Sequence, residues 1–438
     1  MSFGSVCSGI EAASIVLEPL GFKPLWFSEI ADFPASFLKH KHPRIPNLGD
    51  MNDIPSLLQK GLIEAPDFLC GGTPCQAFSL AGWQNGLNDN RGLLTLKYIE
   101  IINEIDKRRI QQGKDNAIFF WENVEGVLKD RTNAFGYFLA GLAGVDTPIK
   151  VGKWPSAGVI HGPKRNIAWR ILDGKYLGLP QQRKRLYVLG GGTSYYPENV
   201  LFELGEKIPD PYKILEKNSE LDLFSGSEKT DNSLKQLRRV INGNEIEIFR
   251  IYTDCLYAAY GTKWNGNAAA YNGSLFVSQN NRLRRLTPLE CERLMGFPDN
   301  YTLIPGCKDT TRYQAVGNSW AIPVIKWIAD RVTNFQDKKI LNTLSPINSG
   351  DVKTYLLQDF TYIDQNQYIN ASSYVYDHKL KNLLDIIDIN ANEKFYISPQ
   401  GCAGILRRKK EKNMRMNQRL EEVLSHCSQD YTIFQLQA

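Results

Sequence analysis

The sequence predicts an α/β protein: a doubly wound, mostly parallel Rossmann-like sheet, with a smaller second domain and a C-terminal extension. Short apolar runs alternate with helix-patterned stretches through the first 190 residues, as strands joined by crossover helices do. Beyond Gly192 that alternation gives way to a polar stretch rich in Asn, Ser, Gly and Tyr, and an ordered pattern returns at Arg282.

Taken in order, Phe3-Gly4-Ser5-Val6 reads as the first strand. It runs through Cys7-Ser8-Gly9-Ile10-Glu11 into a helix over Ala12 to Leu20. Gly9 would let the backbone approach a ligand there, although such a glycine often serves the turn alone and GxGxxG spacing is absent. Pro24 to Ser28 is the second strand, with Glu29 at its end and Asp50 after Leu48-Gly49. Either carboxylate alone reads as a solvated loop residue. Asp67 to Cys70 is the third strand and opens into Gly71-Gly72-Thr73-Pro74-Cys75-Gln76-Ala77-Phe78-Ser79. In Leu94 to Arg109, Leu94, Tyr98, Ile101, Ile102 and Ile105 share one helical face. Ala117 to Trp121 and Leu186 to Gly190 are further buried strands, the first followed by Glu122-Asn123-Val124 and the second preceded by Gln181-Gln182-Arg183-Lys184-Arg185. Helices are expected at Pro288 to Met295 and Trp320 to Phe335, with Gly317-Asn318-Ser319 just before the latter.

Composition bounds the reading. A chain of 438 residues with 42% hydrophobic content can bury a large core in two or three domains. A net charge of +5 agrees with a polyanionic partner without requiring one. The eight cysteines form no CxxC pair, so neither zinc nor a disulfide framework is expected. No run is apolar enough to span a membrane. The N-terminus shows no basic, apolar leader, so a reducing cytoplasm is expected.

The Pro74-Cys75-Gln76 loop, with the Cys7 to Gly9 loop before it and Glu122-Asn123-Val124, Gln181 to Arg185 and Gly317 to Ser319 after it, resembles the DNA cytosine-C5 methyltransferases of phage and bacterial restriction-modification systems. The resemblance covers roughly residues 3 to 335. It implies S-adenosyl-L-methionine as cofactor, held by Cys7, Gly9, Ile10, Glu29, Ile30, Asp50, Met51, Pro74, Asn318 and Ser319. It implies a catalytic set of Cys75, Glu122, Arg183 and Arg185, with Gln76, Ser79, Arg91, Asn123 and Gln181 at the substrate and no metal. Two departures stand out: Cys7 replaces a common aromatic residue, and Glu11-Ala12 replaces a glycine-rich pair.

The chemistry suits those residue types. Cytosine C5 is a poor nucleophile until addition at C6 interrupts the aromatic ring, and a thiolate performs that addition where an unactivated serine does not. Most cysteines are small buried hydrophobes; Cys75 departs from that default by following a strand end in a Gly-Gly-Thr-Pro loop. Glu122, at a neighbouring strand end, is the candidate partner for cytosine N3. Arg183 and Arg185 alternate along a strand and are expected on one face, with Arg185 at cytosine O2 by the resemblance. The target base must leave the duplex stack, and Ala77 to Arg91 is the candidate closing loop.

The expected domains are therefore residues 1–192 for catalysis and cofactor, 193–281 for target recognition, 282–335 as a closing segment of the catalytic domain, and 336–438 as an extension. Residues 193–281 carry nine Lys and Arg against twelve Asp and Glu, so charge does not mark them as DNA-binding. Tyr257, Tyr260, Lys263, Trp264, Asn265 and Asn267 are candidate contacts. Between Arg407 and Arg419 lie seven cations and only Glu411 as acid. Phe395 to Arg408 resembles a segment that phage-type cytosine methyltransferases carry inside their recognition region, so the extension is read as an extra DNA-contacting module. Double-stranded DNA is the expected partner of a monomer, with a separately encoded restriction endonuclease as a further one. The alternatives are a tRNA methyltransferase of the same fold and a catalytically inactive DNA-binding homologue.

Overall fold

The computed structural model describes residues 1–74, 93–213, 237–261, 271–335, 340–364 and 366–437. The chain forms two compact units. The first comprises residues 1–173, 184–208 and 324–377, and the second residues 174–183, 209–323 and 378–438.

The first unit is built on strands β1 (Ser2–Val6), β2 (Lys23–Ser28), β3 (Phe68–Gly71), β4 (Ile118–Val124), β5 (Ala157–His161), β6 (Arg165–Asp173), β7 (Lys184–Gly192), β8 (Glu203–Gly205), β13 (Ile347–Ser349), β14 (Val352–Leu357), β15 (Phe360–Asp364) and β16 (Gln367–Asn370). Among the described residues the main sheet has nine strands in the order β13-β14-β5-β6-β7-β4-β3-β1-β2. The four strands β2, β1, β3 and β4 pair in parallel, and the rest are added antiparallel. Six strands (β2, β1, β3, β4, β6 and β14) thus run one way and three (β7, β5 and β13) the other. The chain goes from β1 outward to β2 and then returns to β3 on the opposite side of β1. That reversal opens a crevice beyond the carboxyl ends of β1 and β3, where open α/β sheets bind ligands.

Helix Leu93–Gln111 forms where its periodicity predicts, burying Tyr98, Ile101, Ile102 and Ile105 completely. It shares one core with Ala134–Ala143 and with Trp121 and Trp169 of the sheet, Trp121 lying 4.6 Å from Phe138 between ring centroids. Arg165, fully buried, is paired with Asp106 of the longer helix at 2.5 Å.

The sequence-based boundaries cut the chain differently from these units. Residues 340–377, read as part of a separate extension, supply β13 and β14 to the main sheet. They also supply β15 and β16, which continue from β8 in a three-stranded sheet. β14 can join because β5 otherwise presents an unpaired edge. Sequence periodicity cannot show this, since nothing local to 352–357 names a partner almost two hundred residues earlier.

The second unit carries β9 (Arg238–Ile241), β10 (Asn244–Ile248), β11 (Phe276–Gln279) and β12 (Arg282–Arg285) in the order β12-β11-β10-β9. Helix Pro288–Met295 starts at the expected proline with a capping box between Thr287 and Glu290. Glu290 also pairs with Arg284, and both side chains are wholly buried. Residues 378–438 belong to this unit, and its helices Pro399–Glu411 and Gln418–Gln437 pack through Cys402, Ile405, Leu420, Val423 and Leu424 on Phe249, Phe276 and Leu283.

Candidate active site

The parallel strands of the first unit end in three loops beside the crevice. At the end of β1, Cys7, Gly9 and Glu11 all have positive φ, at 50°, 56° and 54°. For two non-glycine residues in five this is strained backbone, of the kind that gathers at ligand sites. A Cβ on Gly9 would have nothing within 4 Å, so the backbone there is open to a ligand. Gly9 N–H donates to Glu29 Oε2 at 2.8 Å, while Ile30 and Ala31 N–H donate to Oε1 at 2.9 and 2.8 Å. A carboxylate has roughly four acceptor directions. Three are therefore engaged by backbone, which leaves about one for a ligand in this arrangement. Ile30 is 73% exposed beside it, an aliphatic surface that a ligand ring would cover. Asp50 uses Oδ1 to accept from Asn52. Met51 is buried, its Sδ 3.8 Å from Cys7 Sγ, and Ile10 is buried as well. Burial and the carboxylates of Glu29 and Asp50 push the Cys7 thiol up to about 12, so Cys7 is a thiol at neutral pH.

Glu11, not among the expected site residues, turns its carboxyl inward under this loop and accepts from Ser5 Oγ at 2.7 Å. Burial raises its pKa from 4.5 to about 8. Between those values the unfolded chain loses the proton while the fold keeps it. The stability contributed is thus fully present below about pH 4.5 and lost as pH rises through about 8. Glu11→Gln, neutral throughout, is expected to melt with the wild type at pH 4.5 and a few degrees above it at pH 8.5. Identical melting temperatures at pH 8.5 would refute a protonated Glu11.

The β3 and β4 ends lie side by side, with Gly71 opposite Trp121. A Cβ on Gly71 would stand 2.4 Å from the Val6 carbonyl oxygen, and one on Gly72 would stand 2.7 Å from that of Glu122 and 3.3 Å from its Oε2. Only glycine allows this close approach. Thr73 is then held from β4: Asn123 Nδ2 donates to its carbonyl at 2.9 Å, and Trp121 Nε1 to its hydroxyl at 3.2 Å. Pro74 ends the described part of this loop. Cys75, Gln76, Ser79 and Arg91 lie outside the described residues, as do Lys263, Trp264, Asn265 and Asn267.

On β4, Glu122 Oε1 is 3.1 Å from Arg185 Nε of the adjacent β7, with side chains 12% and 14% exposed. The antiparallel register sets this pair, since Val124 stands opposite Arg185 and Glu122 opposite Tyr187. The arrangement offers a charged donor and a carboxylate side by side near the end of β4, the strand that also holds Thr73.

The second unit places the remaining expected residues. Arg183 was expected to share a face with Arg185; it lies instead across the unit boundary, 2% exposed, and donates to the carbonyls of Leu256, Gly317 and Ser319 at 3.2, 3.1 and 2.6 Å. Its guanidinium orders backbone. Gln181, fully buried, accepts from Leu256 N–H at 2.8 Å and donates to the Leu294 carbonyl at 3.1 Å, a structural use of a residue expected at the substrate. Asn318 closes helix Asp309–Asn318 and is exposed, while Ser319 is buried. Tyr260 is also buried, its hydroxyl donating to the Leu275 carbonyl and accepting from Leu286 N–H, so it packs the core of this unit. Among the described residues there is no group of three or more His, Cys, Asp or Glu able to hold a metal ion, and no helix long and apolar enough to cross a membrane.

Residues 1–334 match the family described as C-5 cytosine-specific DNA methylase. The chain is 35% identical over 460 residues to the DNA N-6-adenine-methyltransferase of Escherichia phage P1, a match covering 76% of this chain and 61% of that protein. It is 25% identical over 343 residues to the Type II methyltransferase M.HhaI of Haemophilus parahaemolyticus, covering 75% of this chain and 93% of that one. Among solved structures, the Entamoeba histolytica methyltransferase EhMeth aligns over 76% of this chain and 98% of its own, at 16% identity and a TM-score of 0.45.

Proposed function

Because the chain belongs to the C-5 cytosine-specific DNA methylase family, we propose that it methylates C5 of a cytosine flipped out of duplex DNA, with Cys75 as nucleophile and S-adenosyl-L-methionine as methyl donor. The observation that carries this reading is the Glu122–Arg185 pair at the end of β4, on the strand whose Asn123 and Trp121 hold Thr73, two residues before Cys75.

In the proposed reaction the Cys75 thiolate forms a bond to C6, the C5=C6 π bond opens, and its electrons pass toward N3 and C5. Glu122 at N3 and Arg185 at O2 oppose the charge that develops on the ring. When bound, the cofactor's sulfonium supplies an electrophilic methyl group. After C5 has been methylated, loss of its proton to a base returns the electron pair to C5=C6 and expels the thiolate. Flipping the base costs on the order of a few kcal/mol of stacking and pairing, offset by pocket contacts.

The open backbone at Gly9, the exposed Ile30 and the carboxylates of Glu29 and Asp50 fit a nucleoside-bearing cofactor. Cys7, Ile10, Met51 and Pro74 would shape its site in the first unit. One active site per chain suffices for the reaction, so the acting form is taken as a monomer in a reducing cytoplasm. A separately encoded restriction endonuclease is the partner this reading proposes.

A second reading follows from the phage P1 relative, which is named for adenine N6. An exocyclic amine accepts a methyl group without any thiol addition, so adenine chemistry would leave Cys75 without a role. Incubation with labelled cofactor and plasmid DNA, and in parallel with tRNA, followed by mass analysis of the nucleosides, separates the readings. We expect label in 5-methyldeoxycytidine within one sequence context. Label confined to N6-methyldeoxyadenosine would replace this reading with the second, and label only in tRNA would move the substrate to RNA.

A further inference from the structure

Beyond the proposed pocket, the first unit has a cleft of about 680 Å³ beside the same sheet edge. One wall is the segment that follows β4, and the other is the loop between helix Ala134–Ala143 and β5. Its floor is apolar, formed by Leu128, Val151, Trp154 and Ile171, and cations stand on both walls: Lys129 and Arg131 on the first, Lys150 and Lys153 on the second. All four are exposed. Two carboxylates also line the cleft, Glu125 and Asp130. Lys129 is paired with Glu125 at 3.3 Å, and Asp130 Oδ1 accepts from Thr132 N–H at 2.8 Å. Arg131, Lys150 and Lys153 have no ion-pair partner among the described residues.

Three exposed cations without such partners line one cleft, a concentration of positive charge that favours an anionic occupant. The position of the cleft indicates which anion. Ile171 pairs with Leu186 and Leu186 with Asn123, so the floor lies about two strand spacings, roughly 10 Å, from Asn123 and on its face of the sheet, while Glu122 faces the other side at the same strand end. Along one strand of duplex DNA that is about three nucleotides.

Resting on the reading of DNA as substrate, we propose that this cleft holds the phosphodiester backbone flanking the target nucleotide, with Arg131, Lys150 and Lys153 as its phosphate contacts. Such contacts position the duplex without reading its sequence. They give a residue-level source of DNA affinity in the catalytic unit, where the acidic balance of residues 193–281 gives none.

The test is binding of a 30-base-pair duplex between 50 and 300 mM NaCl by the wild type and by the full-length triple variant Arg131→Ala, Lys150→Ala and Lys153→Ala. The slope of log affinity against log salt is expected to flatten by about 3, roughly one per lost contact. The sequence context of methylation and the affinity for S-adenosyl-L-methionine should remain those of the wild type. Because the side chains are exposed, the melting temperature should not move, and a Lys150→Arg, Lys153→Arg variant should keep the wild-type slope. An unchanged slope in the triple variant, with a wild type that binds and methylates duplex, overturns the cleft. A wild type that neither binds nor methylates duplex overturns the DNA reading instead, so the two failures are distinguishable.

Discussion

Cys75→Ala is expected to abolish methyl transfer, and Glu122→Gln to slow it by roughly 10²- to 10⁴-fold, the range for loss of a positioned acid-base group. Binding of cofactor and duplex should survive both changes. The two effects differ in kind. Without the thiol the ring cannot be opened to attack at C5, and no neighbouring group replaces it: Cys7 is held as a thiol by burial and two carboxylates, and Cys70 is buried with its pKa raised well above the usual thiol value. The amide introduced by Glu122→Gln would keep the volume and a donor for the base, but not the carboxyl through which Glu122 meets Arg185. A duplex carrying 5-fluorocytosine makes the distinction visible, because fluorine at C5 prevents the final loss of a proton and leaves the enzyme attached. Wild type should give a stable adduct, Cys75→Ala none, and Glu122→Gln the same adduct at a reduced rate. Transfer by Cys75→Ala above about one per cent of wild type would sink the covalent route.

The legible part of this site was the part written in local sequence. Gly71-Gly72 before Pro74 marks a loop directly after the strand, and the structure adds why glycine is needed there, the nearby Val6 and Glu122 carbonyl oxygens. Strand ends at Val6 and Ser28 follow from apolar runs that stop, whereas β3 runs one residue past the expected Cys70 and β4 three past the expected Trp121. Arg183 shows the limit of such reading. Alternation along a strand gives Arg183 and Arg185 the same direction, but β7 begins only at Lys184, so the period-2 rule does not extend to Arg183. Its guanidinium serves three carbonyls instead. Glu11 was noted only as a departure from a glycine pair; its role beneath the loop follows from burial, which no spacing encodes. The cations of the cleft lie on two segments some twenty residues apart and line one cleft only in the folded chain.

Residues 336–438 were read as an extension, and removal of those from 340 onward is expected to unfold the first unit rather than trim it. β14 covers the edge of β5 over five paired residues. Val352, Leu357, Ile369 and Val375 are each no more than 2% exposed. At about 1.5–3 kcal/mol for each buried side chain, these four contribute roughly 6–12 kcal/mol, an upper figure comparable with the whole stability of an ordinary domain, about 5–15 kcal/mol. Arg170 adds to the cost. Its guanidinium, fully buried, donates to the carbonyls of Ser372 and Tyr374 at 2.8 Å each. Truncation at residue 340 removes both acceptors and leaves the guanidinium with only Glu203, at 3.6 Å, and the Leu201 carbonyl, a loss of about 1.5–3 kcal/mol for each hydrogen bond to the charged group. A chain ending at residue 377 keeps β13 to β16 and both acceptors. It should retain the cooperative thermal transition of the first unit, while the chain ending at residue 339 should show none. If the shorter chain melts cooperatively within a few degrees of the longer one, β14 is a decoration of the sheet. If only the longer one melts, DNA-binding measurements on the shorter chain report unfolding, and the basic helix Pro399–Glu411 has to be tested by substitution of Arg407, Lys410 and Lys412 in the full-length protein.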